Sequence, residues 1–186
     1  MRSLIEQRQG PALAATAHVH VLPAAQRFVL RGDGAARAAA EGALGVPVPQ
    51  QACRAGSNAT RAALWLGPDE WLLLAPAADR QAEDALQGAL AGLAHSLVDV
   101  SHRQVGLAVS GPAAERLLNA GCPLDLDTRA FPVGMCTRTI LGKAPILLSR
   151  PEADVFHVDV WRSFAPYAWS LLDEARQELA FDQVLN

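Results

Sequence analysis

The sequence predicts an α+β fold built twice, as two pseudo-symmetric lobes of ferredoxin-like character. Two observations carry this expectation. The string Phe28-Val-Leu-Arg-Gly-Asp-Gly-Ala-Ala-Arg reads like Leu107-Ala-Val-Ser-Gly-Pro-Ala-Ala-Glu-Arg, with Gly32 falling on Gly111 and Gly42 on Gly121 at one spacing. A second shared spacing lays Cys53 on Cys136, Leu64 on Leu147 and Pro68 on Pro151. Two copies of a pattern make a duplicated domain, not a solenoid. The expected division is an N-terminal arm over residues 1–25, a first lobe over 26–102 and a second over 103–186.

Over residues 1–25 no hydrophobic period holds, and Gln7, Gln9, Gly10 and Pro11 break any helix there. That stretch is expected to be a tail, or an extended arm that orders on a partner. His18 and His20 would share one face of a strand, but with no further ligand near them in sequence they do not read as a metal site.

The first lobe opens with a strand at Gln26–Arg31. Asp33 is placed to cap a helix running to Leu44, and Gly45 and Pro47 stop it. A turn at Gly56–Asn58 leads into two apolar runs, Ala62–Leu66 and Trp71–Leu74, joined by Gly67-Pro-Asp-Glu as a hairpin. Asp79 reads as the start of a helix whose Ala82, Leu86, Leu90 and Leu93 form one apolar stripe, before a strand at Leu97–Ser101.

The second lobe repeats this order. Val105–Ser110 is a strand, followed by a helix with Pro112 near its first turn and Gly121 after its end. Residues 125–132 form a loop. Thr137–Leu141 and Pro145–Ser149 flank Gly142-Lys143, a pair suited to a two-residue turn. In the strand Val155–Trp161, Phe156, Val158 and Val160 face one side and His157 and Asp159 the other. Ser163 is placed to cap a last helix that buries Ala168, Leu171, Leu172, Ala175 and Leu179.

Composition narrows the function. Of 186 residues 51% are hydrophobic and the net charge is −3, which supplies a core but not the positive field of a nucleic-acid surface. No apolar run reaches the roughly 20 residues of a membrane-spanning helix. The three cysteines, Cys53, Cys122 and Cys136, form no C-x-x-C pair, and with no signal-like start they point to a reducing cytoplasm. The matched pair Cys53 and Cys136 reads as equivalent packing slots, and Cys122, after a helix C-terminus, as a packed thiol.

Asp99-Val-Ser-His102 holds the residue types of a hydrolase triad, but neighbours on a strand point to opposite faces, so Ser101 cannot present its hydroxyl to His102. A turn role is expected instead. No glycine-rich phosphate loop is present. His157 and Asp159 are expected on the wet or interface-facing side of an edge hairpin. Trp65, Trp71, Trp161 and Trp169 read as core or interface anchors. The residues expected at an interface are Trp65, Trp71, His157, Asp159, Trp161 and Arg162; none is assigned a catalytic or metal role.

Three strings go beyond pattern: Leu64-Trp-Leu-Gly-Pro-Asp-Glu-Trp-Leu-Leu-Leu, Val98-Asp-Val-Ser-His-Arg, and Val158-Asp-Val-Trp-Arg-Ser-Phe-Ala-Pro-Tyr-Ala-Trp. Together they resemble the gamma subunit of heterotetrameric sarcosine oxidase, over about residues 26–180. The resemblance implies an accessory chain beside alpha, beta and delta subunits, in an assembly that oxidatively demethylates sarcosine to glycine. It places FAD, FMN, NAD, tetrahydrofolate and zinc on those other subunits. More distantly, the Asp99-Val-Ser-His segment resembles the folate-binding aminomethyltransferase of the glycine cleavage system. That likeness implies a duplicated fold and makes Asp99 a folate-type candidate. The alternatives are the matching subunit of a related N-methyl amino acid dehydrogenase, a stand-alone folate-binding protein of the aminomethyltransferase type, or a scaffold with no flavoenzyme partner.

Overall fold

The computed structural model describes residues 17–184, with side chains to residue 179. Most of the arm expected over residues 1–25 lies outside the described residues. The described chain runs β1 (His18–Val21), β2 (Ala25–Gly32), α1 (Gly34–Leu44), β3 (Ala55–Ser57), β4 (Ala62–Gly67), β5 (Glu70–Pro76), α2 (Ala82–Leu90), β6 (His95–Asp99), β7 (Gln104–Ser110), α3 (Ala114–Asn119), β8 (Cys136–Leu141), β9 (Ala144–Glu152), β10 (Val155–Trp161) and α4 (Ala165–Val184). These elements form a mixed α+β structure with two five-stranded sheets, β3-β4-β5-β2-β6 and β1-β7-β10-β9-β8.

The chain divides into two compact units. The N-proximal unit comprises Pro23–Gln104 and Gly134–Arg138. The C-proximal unit takes, among the described residues, those up to Leu22, Val105–Val133 and the chain from Thr139 onward.

In the N-proximal unit, β2 pairs antiparallel with β5 on one side and β6 on the other, and β4 pairs antiparallel with β5 and β3. The register sets Phe28 against Leu73 and Leu30 against Trp71. Period two then puts Phe28, Leu30, Trp71 and Leu73 on one face, where they bury against Ala36, Ala40 and Leu44 of α1 and Leu86 and Leu90 of α2. The alanines of α1 hold helix and sheet close. At its start, Asp33 Oδ1 accepts from the Ala35 and Ala36 N–H groups at 2.9 and 3.0 Å. At its end Gly45 takes the left-handed conformation (φ 70°), and its N–H donates to the Glu41 carbonyl at 2.9 Å.

Asp79 does not cap α2. That helix begins at Ala82, with Gln81 at the cap position making no side-chain bond. Asp79 Oδ2 instead accepts from Arg61 Nε and Nη2 at 3.0 and 2.6 Å, while Arg61 Nη1 donates to the Leu44 carbonyl at 2.8 Å. A charged, half-buried partner competes better for the carboxylate than backbone N–H groups do.

In the C-proximal unit, β1 pairs antiparallel with β7, His18 opposite Ser110 and Val21 opposite Leu107. β10 pairs antiparallel with β9, with an irregularity between Val155 and His157. Phe156, Val158 and Val160 are fully buried, as are Leu107, Val109, Leu117 and Leu118. α4 contributes Ala165, Ala168, Trp169, Leu172 and Ala175 to the buried set, while Leu171 is half-buried.

Candidate functional site

The corner from β10 into α4 concentrates exposed aromatic surface. The Phe164 N–H donates to the Trp161 carbonyl at 2.8 Å, and the Ala168 N–H to the Phe164 carbonyl at 2.9 Å. Phe164, not Ser163, thus stands at the helix entry, and Pro166 falls in the first turn, where its missing N–H costs nothing. Ala165, Ala168 and Trp169 turn inward. That leaves Trp161 (50% exposed), Phe164 (37%) and Tyr167 (40%) at a spacing of three. Arg162 is exposed between them. The Tyr167 hydroxyl also accepts from the Lys143 N–H at 3.1 Å, which ties α4 to the β8–β9 turn. Sequence reading named Trp161 and Arg162 but missed Phe164 and Tyr167. The small Ala165 and Ala168 beside them were the signal of which side faces in.

The other residues singled out from sequence lie elsewhere. Trp71 is 2% exposed, and its indole N–H donates to the Pro49 carbonyl at 2.7 Å. Trp65 pairs with Trp71 across β4 and β5 and is half-buried. His157 and Asp159 lie on β10, which is flanked by β7 and β9 and is therefore an interior strand, not part of an edge hairpin. Asp159 is buried and His157 half-buried. Burial lowers the His157 pKa below the usual histidine value; Asp159 opposes this, His20 adds to it and Glu152 opposes it.

Asp99 closes a turn at the end of β6. Its Oδ1 accepts from the Ser101 N–H at 2.7 Å and from the Ser101 hydroxyl at 2.5 Å. The Ser101 oxygen in turn accepts from the Arg27 N–H at 2.9 Å. The serine hydroxyl holds the Asp99 carboxyl below its usual pKa, followed by the Ser101 N–H. The serine proton is directed to the carboxylate of its own turn, as a structural turn requires.

Cys53 and Cys136, expected in equivalent slots of separate lobes, are brought side by side. The Cys136 N–H donates to the Cys53 carbonyl at 3.1 Å, beside an antiparallel bridge between Arg54 and Met135. The reason is that residues 134–138 pack with the N-proximal unit, where they reach residues 53–55. Cys122 is buried, 4% exposed. Among the described residues no three His, Cys, Asp or Glu side chains cluster to hold a metal, and no helix is long and apolar enough to cross a membrane.

Residues 31–178 match the model of the sarcosine oxidase, gamma subunit family. The sarcosine oxidase subunit gamma of Corynebacterium sp. (strain P-1) is 38% identical over 154 residues, covering 82% of this chain and 75% of that one. The corresponding subunit from Arthrobacter sp. is 38% identical over 147 residues, covering 78% and 72%. Among solved structures, the heterotetrameric sarcosine oxidase from Corynebacterium sp. U-96 in complex with pyrrole 2-carboxylate superposes with a TM-score of 0.84 at 31% identity, over 91% of this chain and 88% of that chain. The glycine cleavage system aminomethyltransferase T from Bartonella henselae shares the fold, with a TM-score of 0.63 at 17% identity over 85% of this chain and 45% of that chain.

Proposed function

Because the chain belongs to the sarcosine oxidase gamma subunit family, we propose that it is an accessory, non-catalytic subunit of a heterotetrameric sarcosine oxidase. The single observation that carries this is the superposition on a heterotetrameric sarcosine oxidase over 91% of the chain. The assembly demethylates sarcosine oxidatively to glycine, and this chain braces the subunits that perform the chemistry. Its partners are the alpha, beta and delta subunits, in the cytoplasm. FAD, FMN, NAD, tetrahydrofolate and zinc reside on those subunits.

The contact surface in this reading centres on Trp161 and Arg162, extended by Phe164 and Tyr167. Their support is three aromatic rings left between 37% and 50% exposed within seven residues. Aromatic and arginine side chains are the types enriched where interfaces draw most of their energy.

The fold in this reading is a duplicated, ferredoxin-like one, with an N-terminal arm over residues 1–25 and lobes over 26–102 and 103–186. The strand orders support it: β6-β2-β5-β4-β3 and β1-β7-β10-β9-β8 run in parallel when β2 is laid on β7, β4 on β9 and β5 on β10. The first four strands of the first series follow the order of a split βαβ fold. The remaining equivalence, β6 with β1, is indirect, since β1 precedes β2 in sequence while β6 follows α2.

The test is oxygen consumption. Complex purified through this chain should consume oxygen on addition of sarcosine, and the isolated chain should not. Sarcosine-dependent uptake by the isolated chain would overturn the non-catalytic assignment.

A further inference from the structure

The sheet of the N-proximal unit ends on one side in β6, last in the order β3-β4-β5-β2-β6. Within β6 only Leu97 is half-buried; the other residues are exposed, Val98 to 51%. The register with β2 runs unbroken, Phe28 opposite Asp99 and Gly32 opposite His95. It fixes where the backbone groups of β6 point. One step beyond, the Val100 N–H donates to the carbonyl of the opposed Arg27 at 2.8 Å. Hydrogen-bonded and non-hydrogen-bonded pairs alternate along an antiparallel ladder. Val98 and Ser96 therefore turn their N–H and C=O toward β2 as well. On the far side of β2, the Gly32 N–H donates to the Asp69 carbonyl at 3.1 Å, in phase with that alternation. The N–H and C=O groups of His95, Leu97 and Asp99 are left pointing off the sheet. Proline, lysine or a bulge commonly blunts such an edge. Residues 95–99 read His-Ser-Leu-Val-Asp, with neither proline nor lysine, and their pairing carries no bulge.

We propose that this edge docks a second copy of this chain, β6 pairing antiparallel with β6 across a two-fold axis at Leu97. What selects this occupant is complementarity within the strand itself. The two-fold sets Leu97 opposite the partner's Leu97, His95 opposite the partner's Asp99, and Asp99 opposite the partner's His95. These are the residues whose backbone groups point outward, so one register satisfies all of them. The same register faces a basic imidazole with a carboxylate at both ends and leucine with leucine between. Opposite charges and apolar pairs directly across a ladder are stabilising, and like charges are destabilising. Sliding the register by two residues in either direction loses both imidazole–carboxylate pairs. The two polar side chains are already oriented. His95 Nδ1 lies 2.9 Å from the Leu93 carbonyl oxygen, and Asp99 Oδ1 accepts from the Ser101 N–H and hydroxyl. On the opposite face the exposed Val98 comes to lie beside the partner's Ser96. The inference concerns the chain outside the assembly and does not rest on the proposed function.

The experiment is sedimentation of the purified full chain over a concentration series, with amide exchange read residue by residue. The expected result is a reversible dimer of twice the 19.7 kDa chain mass. On dimerisation, exchange should slow at residues 95, 97 and 99 and stay unchanged at 96 and 98. His95→Asp and Asp99→Lys should each weaken self-association by about tenfold. Mixed together, the two variants should recover most of that loss, because each acid then faces a base again. That recovery separates a broken interface from a damaged fold. Three results would overturn the proposal. One is a dimer that both substitutions leave as tight as wild type. Another is a dimer whose amides at 95, 97 and 99 exchange as fast as in the monomer. The third is a chain that stays monomeric up to about 1 mM, which would leave the edge to a strand of another protein.

Discussion

Arg150 Nη2 and Glu115 Oε1 lie 2.6 Å apart, with the arginine side chain only 2% exposed and the glutamate 37%. The rest of the guanidinium is taken up by main chain. Nη1 donates to the Leu126 and Phe131 carbonyls at 2.9 and 3.0 Å, and Nε to the Ala153 carbonyl at 3.0 Å. Nη2 also reaches the Thr128 hydroxyl and the Ala153 carbonyl. The charge sits 4.8 Å from the Phe156 ring centroid. One β9 side chain therefore holds the loop over residues 125–132 and the β9–β10 turn to the sheet, through a planar fork that lysine cannot reproduce.

Arg150→Leu should lower the unfolding free energy by about 3–5 kcal/mol, because it strands buried carbonyls and breaks the ion pair. Arg150→Lys should recover only part of that loss. Glu115→Gln should cost less than Arg150→Leu, since water reaches the glutamate. Urea titration of the variants checks the order, and an Arg150→Leu protein as stable as wild type would refute the clamp.

Trp71 and Trp161 should behave oppositely. Trp71→Ala removes a core ring that is 2% exposed and should cost about 3–5 kcal/mol of stability. Trp161→Ala removes a ring that is 50% exposed and should leave the unfolding midpoint near wild type while weakening capture of the other subunits. Thermal melts and co-purification yields separate the two effects.

Asp33→Ala should lose about 1 kcal/mol, the usual cost of removing an N-cap acceptor. The affected bonds are those from the Ala35 and Ala36 N–H groups. Asp79→Ala should act differently, loosening Arg61 from the C-terminal end of α1 and leaving the start of α2 unchanged. Amide hydrogen exchange at residues 35–36 and 82–84 reads both.

His157 gives the stability a pH dependence of known sign. Burial lowers its folded pKa below the ordinary 6.5, so the unfolded chain binds the proton more readily. Stability from this group is fully present above the unfolded value and is lost as pH falls from there toward the folded pKa. The facing charges Asp159 and Glu152 blunt the effect and His20 enlarges it. Denaturant midpoints should therefore decline on acidification below about pH 6.5. His157→Gln should flatten that decline, and an unchanged slope would contradict the burial cause.

Gly142 has φ 59°, and a side chain there would run into the Tyr167 hydroxyl. Gly142→Ala should thus destabilise the β8–β9 turn, and adding Tyr167→Phe should relieve part of the loss. The double-mutant cycle measures the coupling.

What the sequence made legible was local. Alternation in Val155–Trp161, the Asp33 cap, the Gly45 stop and the Gly142-Lys143 turn all depend on residues close in the chain. Long-range choices were not legible. The pairing of β1 with β7 spans most of the N-proximal unit in sequence. Asp79, read as a helix start, is engaged by Arg61 instead, and the helix begins at Ala82. Arg150 looks like an ordinary surface charge in a strand, and only the fold brings Leu126, Phe131 and Glu115 to it. The meeting of Cys53 with Cys136 was hidden because their matched spacing implied equivalence instead of contact.

The most direct test of the subunit assignment is to recover this chain from its native cell extract without denaturant, weigh the intact assembly by native mass spectrometry, and scan its visible absorbance. The account predicts one copy of the chain in a four-chain, flavin-coloured assembly. A colourless protein, monomeric and recovered alone, would contradict it.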